Sequence, residues 1–186
     1  MARPADWSAR YYWKDDWKAG NPKWIIGKDP QGRAGSFLVK FWKDDWKDLL
    51  KEYIDRIVED NYDGICFDYL KAYASVPVAE AAAKEGKDSR LEIFKFVRDL
   101  RSHALSKKSN LLILSQNAAE LGEFTSHIEN FDAVLQEEIW FDGTDIAVKQ
   151  KLTDSYLYEL KQWQMFENPV FNIEYASDTK NVKQAY

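Results

Sequence analysis

Five short apolar runs in this chain each end in side chains able to do chemistry. Phe37 to Trp42 (FLVKFW) ends in Lys40 and Trp42, and Gly64 to Tyr69 (GICFDY) in Asp68 and Tyr69. Leu111 to Gln116 (LLILSQ) ends in Gln116, with Asn117 next. Ala133 to Glu137 (AVLQE) ends in Gln136 and Glu137, with Glu138 next, and Val170 to Tyr175 (VFNIEY) ends in Glu174 and Tyr175. Apolar residues flank the carboxylates of FDYL and NIEY, and burying a carboxylate is unfavourable unless it is paired or used. One use is glycoside cleavage. There one carboxylate attacks or supports the anomeric carbon, and a second, kept protonated, releases the leaving oxygen. The plain alternative is structural: each carboxylate is an ion pair, with Lys40 for instance, or a satisfied core group.

Such residues meet only if the runs are neighbouring strands. The runs hold consecutive apolar residues rather than strict alternation, the pattern of strands covered on both faces in a parallel sheet. Amphipathic helices lie between them. Trp46, Leu49, Leu50, Tyr53, Ile54, Ile57 and Val58 mark one, with Asp44 or Asp45 able to cap its start. Leu91, Phe94, Val97, Leu100 and Leu105 mark a second that starts at Asp88–Ser89. A third runs from about Asp145 to Phe166, with Ile146, Leu152, Tyr156, Leu160 and Trp163 inward, and stops before Pro169. Ala118 to Asn130 has room for a helical turn or two. Alternating strands and helices predict an α/β fold in one domain, residues 1–186, with functional groups at the carboxyl ends of the strands. The hexapeptide WKDDWK occurs twice, at Trp13 to Lys18 and at Trp42 to Lys47. It fits a helix start, with Asp at the dipole and Trp on the sheet. Stacking of Trp13 and Trp42 on a sugar ring is the other reading.

Composition removes several function classes. With 8 Trp, 10 Tyr and 10 Phe among 186 residues, the chain is too aromatic to be disordered. Its 26 basic against 31 acidic residues give a net charge of -5 and argue against a nucleic-acid partner. No apolar run approaches the roughly 20 residues of a membrane span. MARPADWSARYYW has no apolar core of a signal peptide. No GxGxxG, GxxxxGK[ST] or GxSxG motif occurs, so a phosphate cradle and a serine elbow lack support. His103 reads as a helix-surface residue and His127 as a loop or helix-end residue, away from the strand ends, which disfavours a Ser–His triad. Cys66, the single cysteine, reads as a small buried apolar residue, with a reactive thiol as the alternative. No cofactor and no metal is expected, although a carboxylate-only Mg²⁺ or Ca²⁺ site stays conceivable.

The segments RYYWKDDW, FLVKFWKDDWKDLLKEYIDRIVEDNYDGICFDYLKAY, LLILSQNAAEL, AVLQEEIWFDG and VFNIEYA together resemble glycoside-hydrolase family 114. The resemblance runs from about Asp6 to Asp178 and is most specific in YDGICFDYLKAY. It implies a TIM (β/α)8 barrel of the endo-α-1,4-polygalactosaminidase type, a polysaccharide substrate and a secreted or extracellular location. Carried over, Asp68 takes the nucleophile's position at the fourth barrel strand, and Glu137 the acid/base position at the sixth, with Glu138 its neighbouring candidate. A retaining mechanism is then implied, its carboxyl groups roughly 5 to 5.5 Å apart. Asp63, Tyr69, Gln116, Asn117, Glu174 and Tyr175 match cleft-lining positions, whereas Lys71 stands where relatives often carry an acidic residue.

On this mapping the five runs are barrel strands three to seven. A barrel of this kind needs about 200 residues at least, so the reading is of an incomplete barrel, truncated at both ends. Besides an enzyme, the residues allow a non-catalytic or degenerate carbohydrate-binding barrel protein, or a metal-binding α/β protein. Nothing in them sets the oligomeric state. An open five-stranded sheet leaves edges and a face uncovered, so the isolated chain is expected to be sticky. Sedimentation showing a monodisperse monomer with one cooperative melting transition would overturn that expectation.

Overall fold

The computed structural model of the chain describes residues 14–30 and 35–185; Trp13 lies outside them. The strands are β1 (Ile25–Lys28), β2 (Phe37–Val39), β3 (Gly64–Phe67), β4 (Leu112–Gln116), β5 (Ala133–Glu137), β6 (Phe141–Asp142), β7 (Ile146–Ala147) and β8 (Val170–Ile173). The α-helices are α1 (Asp44–Glu59), α2 (Val76–Ala83), α3 (Ser89–Lys107), α4 (Thr125–Ile128), α5 (Gln150–Met165) and α6 (Thr179–Ala185). Short 3-10 turns occupy Leu70–Ala74 and Ala119–Glu123. These elements form two compact units: the described part of Met1–Tyr62 with Lys71–Asn110, and Asp63–Leu70 with Leu111–Tyr186.

In the first unit β1 and β2 pair antiparallel, with Ile25 opposite Val39 and Lys28 opposite Phe37. The run expected to be one long parallel strand therefore ends at Val39 in a hairpin-like pair. Trp24 is the hub of the core. The rings of Trp17 and Trp46 sit 4.9 and 4.7 Å from it, so the second tryptophan of each WKDDWK copy packs on one indole. The second copy opens a helix, whereas the described part of the first, Lys14 to Lys18, holds a turn at Asp15 and Asp16. Asp44 and Asp45 lie within the first turn of α1 and favour its dipole, while the capping position is Lys43, without a side-chain cap bond. Helix α3 is capped as expected, Asp88 accepting from the Arg90 and Leu91 amides. Its buried face is Ile93, Phe96, Val97, Leu100 and Ala104, and Leu91 is exposed. His103 lies partly exposed on α3 and pairs with Asp55 of α1 at 2.6 Å.

Two residues read as substrate contacts, Lys40 and Trp42, fall in this unit, where both meet Glu85. Trp42 is buried, and its indole N–H donates to Glu85 Oε2 at 2.8 Å. Lys40 and Lys43 pair with the same carboxylate at 3.0 and 2.8 Å. Both act on Glu85, and Lys43, Trp42 and Lys40 together hold its carboxyl down at about 2.

The second unit is a four-stranded parallel sheet in the order β3-β4-β5-β8. Registered residues of a parallel sheet share a face. Gly64 pairs with Leu112, Cys66 with Leu114, Gln116 with Leu135, Leu135 with Phe171, and Glu137 with Ile173. The opposite face carries Ile113, Ser115, Val134 and Gln136, all buried. On the first face Cys66, Leu112, Phe171 and Ile173 remain exposed. Cys66 is thus not interior: strand parity puts it on the more open face, where Phe67, one residue on, takes the other.

Helix α5 starts at Gln150, later than expected. Ile146 belongs to the β6–β7 hairpin, where it is exposed, as is Leu152 in the helix's first turn. Trp163 is fully buried and donates its indole N–H to the Ala119 carbonyl at 2.9 Å. Gly122 is required here, since a Cβ would lie 2.5 Å from the Trp163 indole nitrogen. His127 is likewise not at the surface. It is fully buried between Phe131 and Trp163, because the four-residue α4 turns it inward.

Burial pushes the His127 imidazole down to about 4. The unfolded chain, with an ordinary value near 6.5, therefore binds more protons between pH 4 and 6.5. His127 then contributes stability that is full above 6.5 and is lost as the pH falls towards 4. The span corresponds to about 3 kcal/mol at most. Replacing His127 by Phe is expected to flatten that part of the stability–pH curve in denaturant titrations. An unchanged slope would contradict the assignment.

Candidate functional site

Three neighbouring strands leave the sheet in the same way. After β3 comes Asp68 and then Tyr69 at φ 59°; after Gln116, the last residue of β4, comes Asn117 at φ 55°; after Glu137, the last residue of β5, comes Glu138 at φ 56°. Each is a non-glycine residue in the left-handed region, at a cost of about 1–2 kcal/mol. The sharp exit holds the preceding polar side chain at the rim instead of carrying it on along the strand. Three such costs at one rim are the kind of local strain that functional sites store.

Glu137 is the centre of the cluster. Its Oε2 accepts from the Gln116 amide at 3.0 Å and from the Asn117 amide at 2.5 Å, and its Oε1 accepts from the Tyr175 hydroxyl. The two amides are fixed from behind. Asn117 Oδ1 accepts from the Glu137 backbone N–H at 2.9 Å and from Gln136 Nε2 at 3.3 Å, so its NH2 group faces the carboxylate. Gln116 Oε1 accepts from the Cys66 thiol at 3.3 Å, which turns its NH2 the same way.

Asp68 stands just past β3, across β4 from the strand that bears Glu137, with the Tyr69 N–H donating to Oδ1 at 2.7 Å. Cys66 feels both carboxylates. Its thiol is pushed up to about 11, first by loss of solvation and then by the negative charges of Asp68 and Glu137. This keeps it a protonated donor at neutral pH and argues against a reactive thiolate. Two carboxylates on strand ends either side of β4, with amide and phenol groups around one of them, are chemically equipped to handle a hydroxylated ligand and a proton.

Other proposed residues lie elsewhere. Glu174 turns away from the cluster, its Oε1 accepting from the Ile139 and Trp140 amides at 2.8 and 3.1 Å and its Oε2 from the Phe141 amide at 3.0 Å. Glu138 accepts from the Gly143 amide at 2.8 Å. Both carboxylates serve backbone. Asp63 precedes β3, its carbonyl accepting from the Leu112 N–H, at the amino end of the strand whose carboxyl end bears Asp68. Five residues of strand separate the two by about 16 Å. Gln136, absent from the proposed set, orients Asn117. Its only signal in the sequence was a polar group inside an apolar run. Among the described residues no three His, Cys, Asp or Glu side chains converge as a metal site would require, and no helix is long and apolar enough to cross a membrane.

Comparison with known proteins gives this geometry a context. An uncharacterised protein of Deinococcus radiodurans is 31% identical over 182 residues, which is 96% of this chain and 55% of that protein. The chain therefore spans about half the length of that relative. The structure of Ega3 from Aspergillus fumigatus in complex with galactosamine superposes with a TM-score of 0.66 at 17% identity, over 98% of this chain and 64% of that one. The glycoside hydrolase domain of PelA from Pseudomonas aeruginosa gives 0.61 at 21% identity, over 80% and 57%. At these identities the likeness is one of fold, an α/β arrangement of TIM-barrel type. The model of glycoside-hydrolase family GH114 matches residues 8–186, nearly the entire sequence, and the chain belongs to that family.

Proposed function

We propose that the protein cleaves an α-linked amino-sugar polysaccharide by a retaining mechanism, with Asp68 as the nucleophile and Glu137 as the acid/base. The observation that carries this reading is the convergence of Gln116, Asn117 and Tyr175 on Glu137, at a strand end separated from that of Asp68 by β4 alone. In the first step Asp68 forms a bond to the anomeric carbon while Glu137 gives its proton to the departing glycosidic oxygen. In the second, Glu137 takes a proton from water, whose oxygen displaces Asp68 and returns the original anomeric configuration. Tyr69, Gln116, Asn117 and Tyr175 are placed to meet the sugar hydroxyls around these two carboxylates.

The choice of an amino sugar draws on two things: the galactosamine bound to the structurally similar Ega3, and the charge of the rim. Two carboxylates there attract a protonated amine more strongly than a neutral sugar. A polymer of this kind is met outside the cytoplasm, which supports an extracellular site of action.

The test is turnover of partially deacetylated galactosaminogalactan. Glu137→Gln is expected to lower kcat by roughly 10²–10⁴-fold, the range of general-acid contributions. Asp68→Asn is expected to abolish turnover while leaving polysaccharide binding measurable by calorimetry. Unchanged turnover in either variant rejects the assignment. NMR of the first product should show the α anomer; initial release of the β anomer would exclude retention.

A further inference from the structure

Two carboxylates outside the reacting pair grip each other's chain segments. Glu174, just past β8, accepts three backbone amides from Ile139, Trp140 and Phe141, the segment leading from β5 into the β6–β7 hairpin. Asp145, in the turn of that hairpin, accepts in return from the segment past β8. Its donors are the Ser177 N–H at 3.2 Å, the Ser177 hydroxyl at 2.7 Å, the Asp178 N–H at 3.0 Å and the Asn181 amide at 2.9 Å. The two grips face in opposite directions along the same pair of segments. Between them in the chain sits Tyr175, whose hydroxyl donates to Glu137.

We propose that Glu174 and Asp145 form a reciprocal clamp that positions Tyr175 on Glu137, so that both are positioning residues for the acid/base carboxylate. Chemistry favours carboxylates here over any neutral group. Every contact of Glu174 is an N–H donor, and an amide side chain would set its own NH2 against the Phe141 or the Ile139 and Trp140 N–H groups. Asp145 stays ionised throughout the neutral range, held down at about 2 by Ser177, Asn181 and the Asp178 amide. The Asp145 grip thus does not release as the pH changes near neutrality. The β5 end of the arrangement is tied further by the Glu138 N–H on the Ile173 carbonyl at 2.9 Å, and by the Thr153 hydroxyl of α5 on the Ile139 carbonyl at 2.8 Å. With both sides anchored, the Tyr175 phenol has a fixed origin. Its bond to Oε1 leaves Oε2 to the two amides, which defines the orientation of the carboxyl plane.

The inference rests on the glycosidase reading only for its kinetic readout. The experiment compares Glu174→Gln and Asp145→Asn alone and in a Tyr175→Phe background, with partially deacetylated galactosaminogalactan as substrate. Each single clamp variant is expected to lower kcat roughly tenfold while changing KM by less than about twofold, on the scale of a misoriented charge-assisted hydrogen bond. In the Tyr175→Phe background neither should lower it further, because the residue through which they act is already disconnected. Losses that multiply instead overturn the proposal. Formate supplied to Glu174→Gly should restore part of the lost rate by refilling the acceptor site; no recovery counts against the clamp. A readout independent of turnover is the ¹³C resonance of the Tyr175 ring carbon bearing the hydroxyl. It is expected to move in both clamp variants, and an unmoved resonance overturns the proposal. If it moves while even the unaltered protein cleaves no glycan, the clamp stands and the glycosidase reading falls. Asp145→Asn lies in a surface turn, so it keeps the test decisive should Glu174→Gln fail to fold.

Discussion

A carboxylate held by three donors from two different strand ends organises the second unit. Glu137 receives Gln116 and Asn117 from the end of β4 and Tyr175 from beyond β8. A partly buried anion needs such donors to offset lost hydration. Each donor in turn needs its own backbone to leave the sheet at the right point. The left-handed residues Tyr69, Asn117 and Glu138 meet that need, and the parallel register aligns their strands. The local strain is sustained by the buried face beneath, where Ile113, Val134 and the Trp163–His127–Phe131 group are packed.

The carboxylates of the second unit divide by the partners that surround them. Glu174, Asp145 and Asp132 accept backbone amides and hold segments together. Asp68 and Glu137 stand at the ends of β3 and β5, on either side of β4, within electrostatic reach of the same thiol. A residue surrounded by backbone donors is spent on architecture, whereas one reached by rotatable amides and a phenol stays open to exchange partners with a ligand. That difference separates Glu137 from Glu138 and Glu174 better than acidity or position in the sequence does.

In the first unit a carboxylate also gathers donors. Lys40 and Trp42, at the end of an apolar run, both bond Glu85. The repeated WKDDWK is a packing device: one tryptophan of each copy contacts Trp24, although the second copy begins a helix and the described part of the first holds a turn. A repeated hexapeptide reports a repeated preference for burying indole, and the surrounding chain decides which secondary structure carries it.

From sequence by itself, the alternation of apolar runs with amphipathic stretches determined the α/β class, the parallel strands β3, β4, β5 and β8, and the helices α1, α3 and α5. It also put Asp68, Gln116, Asn117, Glu137 and Tyr175 at strand ends, because apolar periodicity and run length are local properties. Register, strand parity and hydrogen-bond direction are not local. Only the tertiary structure decided that Cys66 faces the open side of the sheet, that Asp63 stands at the opposite end of its strand, and that His127 is buried. The choice among Glu137, Glu138 and Glu174 was open for the same reason. A shift of one residue along a strand reverses its face, and which donors meet a carboxylate depends on segments nearly forty residues away, as Tyr175 is from Glu137.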